Sequence, residues 1–102
     1  MATITKIDHY EVLYSSNQFP PRIWLYGSGG GKILGQLIFM PDGTGLPQDN
    51  MSGGQVNLYY HLENLVTMLQ LFRGEQTLYL LWAGSGPGFE NAIQTAEQVL
   101  GT

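Results

Sequence analysis

Two histidines are the side chains best suited to move a proton near neutral pH. His9 lies between Asp8 and Glu11, and His61 lies well downstream. A His–carboxylate pair can act as a general base when both groups share a face. In an uninterrupted strand, Asp8 and His9 point to opposite faces, whereas His9 and Glu11 share one. The sequence holds no His-x-x-x-His pair and no carboxylate cluster of metal-site spacing. The run from Asp42 to Asn50 has Thr44 and Leu46 where a calcium loop needs oxygen-bearing side chains. No catalytic residue, metal or cofactor is assigned.

Two glycine-rich turns could cradle an anion. Tyr26-Gly-Ser-Gly-Gly-Gly-Lys32-Ile33 approaches the phosphate-binding P-loop. That pattern needs Gly where Tyr26 stands and a hydroxyl residue where Ile33 stands. Its flanks also read as two strands, so a hairpin turn is expected. Trp82-Ala-Gly84-Ser-Gly86-Pro-Gly88-Phe89 reads as strand, turn and helix start. Free N–H groups at a helix N-terminus attract anions. Phe89 replaces the third Gly of the dinucleotide fingerprint, and Pro87 removes one donor. The candidate ligand groups are therefore the N–H groups of Ser85, Gly86 and Gly88, with Lys32 and His61 as side chains that could join them.

A third set is aromatic: Tyr10 and Tyr14, then Trp24 and Tyr26, with Arg22 beside them. Such residues stack on planar or sugar-like ligands. They are also enriched where proteins meet one another.

The elements that must position these groups follow from periodicity. Residues 3–14 read as a strand, then Arg22–Tyr26 and Lys32–Met40 as two more joined by the glycine turn. Residues 41–54 are turn formers throughout, a long connection that could serve as a mobile lid or an arm. Leu58, Leu62, Leu65, Leu69 and Phe72 recur at helical spacing, which predicts a helix over 55–73 closed by a C′ glycine, Gly74. Thr77–Ala83 is apolar on both sides and is expected centrally in a sheet. Phe89–Leu100 reads as a second helix, with Pro87 before it and Gly101 after. The order β-β-β-α-β-α predicts an α+β fold: a four-stranded, mainly antiparallel sheet with two helices on one face.

The 102 residues fit one domain. The chain is 43 % hydrophobic and 12 % charged, against about 25 % charged in ordinary proteins. Such a charge-poor surface points to association, so a homodimer or larger homo-oligomer is expected, with Tyr10, Tyr14, Arg22, Trp24 and Tyr26 as its interface. A net charge of −4 with four basic residues leaves no nucleic-acid footprint. The absence of cysteine excludes disulfides, thiolate metal sites and a cysteine nucleophile. No signal-peptide pattern and no apolar run of about 20 residues is present, so a cytoplasmic, non-membrane protein is expected. The expected function is a non-catalytic binding or accessory role through self-association. The alternative is a protein or enzyme binding a small anionic ligand between the Gly84–Gly88 turn and the 41–54 loop.

Overall fold

A computed structural model describes residues 2–28, 31–74 and 76–96. The fold is α+β, built mostly of strands in two sheets with one α-helix. The larger sheet has the order β2-β3-β4-β6-β5 and the smaller one β1-β7-β8. The strands are β1 (Thr3–Ile7), β2 (His9–Leu13), β3 (Arg22–Tyr26), β4 (Ile33–Met40), β5 (Asn50–Ser52), β6 (Gln55–His61), β7 (Leu78–Trp82) and β8 (Ala92–Thr95). The helix α1 spans Leu65–Arg73 and follows a short 3-10 turn, Leu62–Asn64. Every strand pair is antiparallel except β4 with β6.

Four expectations are corrected. The single strand over 3–14 divides at Asp8. β1 pairs with β7 in one sheet, and β2 pairs with β3 in the other. The helix over 55–73 begins only at Leu65. Residues 55–61 instead alternate Val56, Leu58 and Tyr60 inward with Asn57, Tyr59 and His61 outward, a period of two. Leu58 and Leu62 satisfy the helical spacing by coincidence. Gly53 and Gly54, at φ of +59° and +81°, supply the left-handed pair that a two-residue hairpin between β5 and β6 requires. The helix over 89–100 is replaced, where described, by β8, which pairs with β7 from Leu78↔Thr95 to Leu81↔Ala92. Ala92 and Ile93 fit either period, and the bare edge of β7 decides for a strand. The rest of that expected helix lies outside the described residues. Gly74 closes α1 in extended rather than left-handed conformation. Two sheets and one helix thus stand where one sheet and two helices were expected. The central position expected for 77–83 holds, since β7 lies between β1 and β8.

The core lies between the layers. Ile23, Leu25, Leu37, Phe39, Val56 and Leu58 point inward from the larger sheet. Ile7, Leu78 and Leu80 of the smaller sheet and Leu65 and Phe72 of α1 cover them. Each such side chain stabilises the fold by about 1.5–3 kcal/mol relative to exposure. β4 and β6 run close at Gly35, where an added Cβ would sit 2.2 Å from the Val56 carbonyl oxygen.

Candidate functional site

Strand alternation settles what the larger sheet presents on its other face. The positions opposite the core are His9, Glu11 and Leu13 on β2 and Arg22, Trp24 and Tyr26 on β3. Gln36, Ile38 and Met40 follow on β4, Asn57, Tyr59 and His61 on β6, and Asn50 on β5. Loop segments lie against parts of this face: Phe19 beside Arg22, Thr44 on His61, and Leu46, Gln48 and Pro87 beside Tyr59. Most of the face's side chains are half-buried, and Ile38 is buried at 9 % exposure.

The pairings align one residue from each strand in a single row: Glu11, Trp24, Gln36, Asn57, Asn50. Four of these five are chained by hydrogen bonds. Trp24 Nε1 donates to Gln36 Oε1 (3.2 Å), Gln36 Nε2 to Asn57 Oδ1 (3.0 Å), and Asn57 Nδ2 to Asn50 Oδ1 (2.9 Å). Asn50 Nδ2 then donates to the Gln48 carbonyl (3.4 Å). Every donor points the same way, so the bonds polarise one another in the same sense. Gln36, Asn57 and Asn50 each satisfy one amide donor and one acceptor in this chain of bonds, which lowers the cost of covering the face.

Glu11 accepts a hydrogen bond from the Tyr26 hydroxyl. That bond, desolvation and the charge of Glu11 raise the Tyr26 phenol above its usual 10.0. The Tyr26 ring stacks on His9, with centroids 4.6 Å apart and planes 5° apart. Arg22 is placed differently. Its Cζ lies 5.8 Å from the Phe19 ring centre and 6.0 Å from that of Trp24, within cation–π range. Its Nε is buried without a hydrogen-bond acceptor. No carboxylate of the described residues pairs with it, and its cross-strand neighbours, Leu13 and Ile38, are apolar.

The expected aromatic set is therefore split. Arg22, Trp24 and Tyr26 share the open face. Tyr10 faces inward and meets Phe72, centroids 4.7 Å apart. Tyr14, 71 % exposed, lies just past β2. Asp8 and His9 do pair, His9 Nδ1 to Asp8 Oδ2 at 3.2 Å. The chain leaves one sheet and enters the other at Asp8, so the alternation that would separate them is interrupted. Both residues line a cleft of about 460 Å³ with Lys6, Tyr10, Phe72 and Thr77.

The ligand candidates fall in three places. Gly86 and Pro87 line a cleft of about 370 Å³ against Leu46, Gln48, Asp49 and Tyr59, so the two segments expected to meet do meet. Ser85 and Gly88 are exposed on the same turn. The turn leads to β8, so no helix dipole reinforces its N–H groups, and the carboxylate lining the cleft is Asp49. Lys32 lies apart, in a cleft with Thr3, Thr5 and Trp82. His61 is occupied in the fold: its Nε2–H donates to the Thr44 carbonyl (2.7 Å).

That bond is one of several that fasten 41–49 to the rest of the fold. Asp42 Oδ1 accepts from the Glu63 N–H (2.7 Å), and Asp49 Oδ1 from the Tyr59 N–H (3.0 Å). Asn91 Nδ2 donates to Asp49 Oδ2 (3.2 Å) and to the Gly84 carbonyl (2.9 Å), while Asn91 Oδ1 accepts from the Ala83 N–H (2.7 Å). Asp49 and Asn91 thereby join the two sheets. Burial, then the charge of Asp49, pushes the Tyr60 phenol up to about 12.

Sequence reasoning missed Gln36, Asn57, Asn50, Asp49 and Asn91. Gln36 carried a usable signal, a polar residue between Gly35 and Leu37 in a confident strand. Asn57, between Val56 and Leu58, carried the same signal once 55–61 is read as a strand. No group of three or more metal-ligating side chains occurs among the described residues, and no described helix is long and apolar enough to cross a membrane. Comparison with protein-family models, with curated proteins and with solved structures found no match.

Proposed function

We propose that this chain is a non-catalytic binding or accessory domain that works by associating with itself through the open face of its larger sheet. The observation that carries the reading is that face: half-buried Trp24 and Tyr26 beside a hydrogen-bonded amide row, on the side of the larger sheet turned away from the core. Half-buried aromatics with few charges are what associating surfaces present at their centres. Each amide of the row already satisfies one donor and one acceptor within the chain, which lowers the number of polar groups a covering partner must satisfy.

Sedimentation equilibrium across a dilution series tests this. A species heavier than the 11.3 kDa monomer is expected, and Trp24→Glu should shift the population to monomer while the circular dichroism stays folded. A mass of one chain at every concentration would remove the reading.

The cleft between the 84–88 turn and the 41–49 segment favours a second reading, a small-molecule site. Asp49 in its wall suits a neutral or cationic polar ligand better than an anion.

A further inference from the structure

The open face carries two opposite charges that do not meet. Among its strand positions, Glu11 is the one carboxylate and Arg22 the one Lys or Arg side chain. Leu13 pairs with Arg22 and Glu11 with Trp24, so the two charges occupy a diagonal of one square of the sheet. Side chains on such a diagonal stand roughly 7–8 Å apart, which long side chains can bridge. Here they do not. Tyr26 binds Glu11 through Oε1, while Phe19 and Trp24 flank the Arg22 guanidinium. Among the described residues neither charge has a carboxylate, Lys or Arg counter-ion, and the two histidines of the face are engaged elsewhere, His9 with Asp8 and Tyr26 and His61 with Thr44.

We infer that a second copy of this chain supplies both counter-ions, with Arg22 of each protomer meeting Glu11 of the other across a two-fold axis. This rests on the self-association proposed above and deepens it by naming the contact. A two-fold interface is self-complementary: if residue i meets residue j, then j meets i. An axis in the plane of the interface, bisecting the Glu11–Arg22 diagonal, therefore makes both pairs at once. It also sets Trp24 and Leu13, the other diagonal, at the centre of contact. Tyr26 occupies one oxygen of Glu11 and leaves Oε2 to accept from the partner's guanidinium. The flanking rings hold Arg22 in place, so little freedom is lost when the pair forms.

Charge reversal tests this by sedimentation. Arg22→Glu and Glu11→Arg should each weaken dimerisation about tenfold or more, since each sets like charges opposite one another. The double variant, Arg22→Glu with Glu11→Arg, should recover dimers. If the reversed variants fail to fold, as judged by circular dichroism, Arg22→Gln and Glu11→Gln carry the same test with smaller expected losses. A wild-type dimer whose association is unchanged in both single variants overturns the pairing and leaves self-association standing. A wild-type monomer overturns both. Sodium acetate added to such a monomer then asks whether Arg22 serves a small carboxylate instead, read as a shift of its guanidinium resonances.

Discussion

Tyr60 couples one side chain to the stability of the whole chain. Its ring packs on Phe39, with centroids 5.6 Å apart, and its hydroxyl holds its proton up to about pH 12 because of burial and the nearby charge of Asp49. In the unfolded chain a tyrosine releases that proton near pH 10. Below that value both states are protonated, and the contribution to stability is fully present. As pH rises from 10 towards 12 the unfolded state ionises first, so stability falls across that window. Tyr60→Phe should abolish this share of the alkaline loss. Urea unfolding should show the variant gaining roughly 1 kcal/mol on wild type at about pH 11, relative to the difference near neutral pH. An identical alkaline slope in both proteins would contradict the assignment. Tyr26 is shifted the same way by its bond to Glu11, so some alkaline loss persists in the variant.

Among the elements, the parallel pair β4–β6 has the tightest constraint. Gly35 has no space for a methyl group, because the Val56 carbonyl oxygen would lie 2.2 Å from it. The obstacle is backbone and cannot rotate aside. Gly35→Ala should cost about 1–3 kcal/mol or more, measured as a lower urea midpoint, and a midpoint equal to wild type would mean that the two strands separate easily. This pair also shows where the sequence was legible. β3, β4 and β7 were readable because each is a short apolar run bounded by glycine, proline or polar turns. The helix α1 was readable from Leu65, Leu69 and Phe72. β6 was not, because Leu58 fits both a strand with Val56 and Tyr60 and a helix with Leu62 and Leu65. The tie was broken by the Gly53-Gly54 hairpin and by β4 seeking a partner. β8 was misread for a related reason: four residues, AIQT, carry almost no periodicity of their own. Of the candidate site, Arg22, Trp24 and Tyr26 were visible as aromatic and basic residues on one strand face. The amide row was not, since it exists only when β3, β4, β6 and β5 lie side by side.

For the whole molecule, the proposed self-association would make stability depend on concentration. A dimer that dissociates on unfolding is stabilised by mass action. Its melting temperature should therefore rise as the protein is concentrated, and Arg22→Glu should flatten that rise. A melting temperature independent of concentration in wild type would place folding wholly within one chain. The division at Asp8 bears on how the chain assembles. β2 meets β3 a short distance along the sequence, while Thr3 and Trp82 are 79 residues apart. Neighbouring segments find one another quickly, and distant ones must first close a long loop. One continuous stretch of chain thus belongs to an early local meander at one end and to a late long-range pairing at the other. On the ribosome, Thr3–Ile7 waits for Leu78–Trp82 to be made before it can join a sheet, although its immediate neighbour β2 can pair as soon as β3 has emerged.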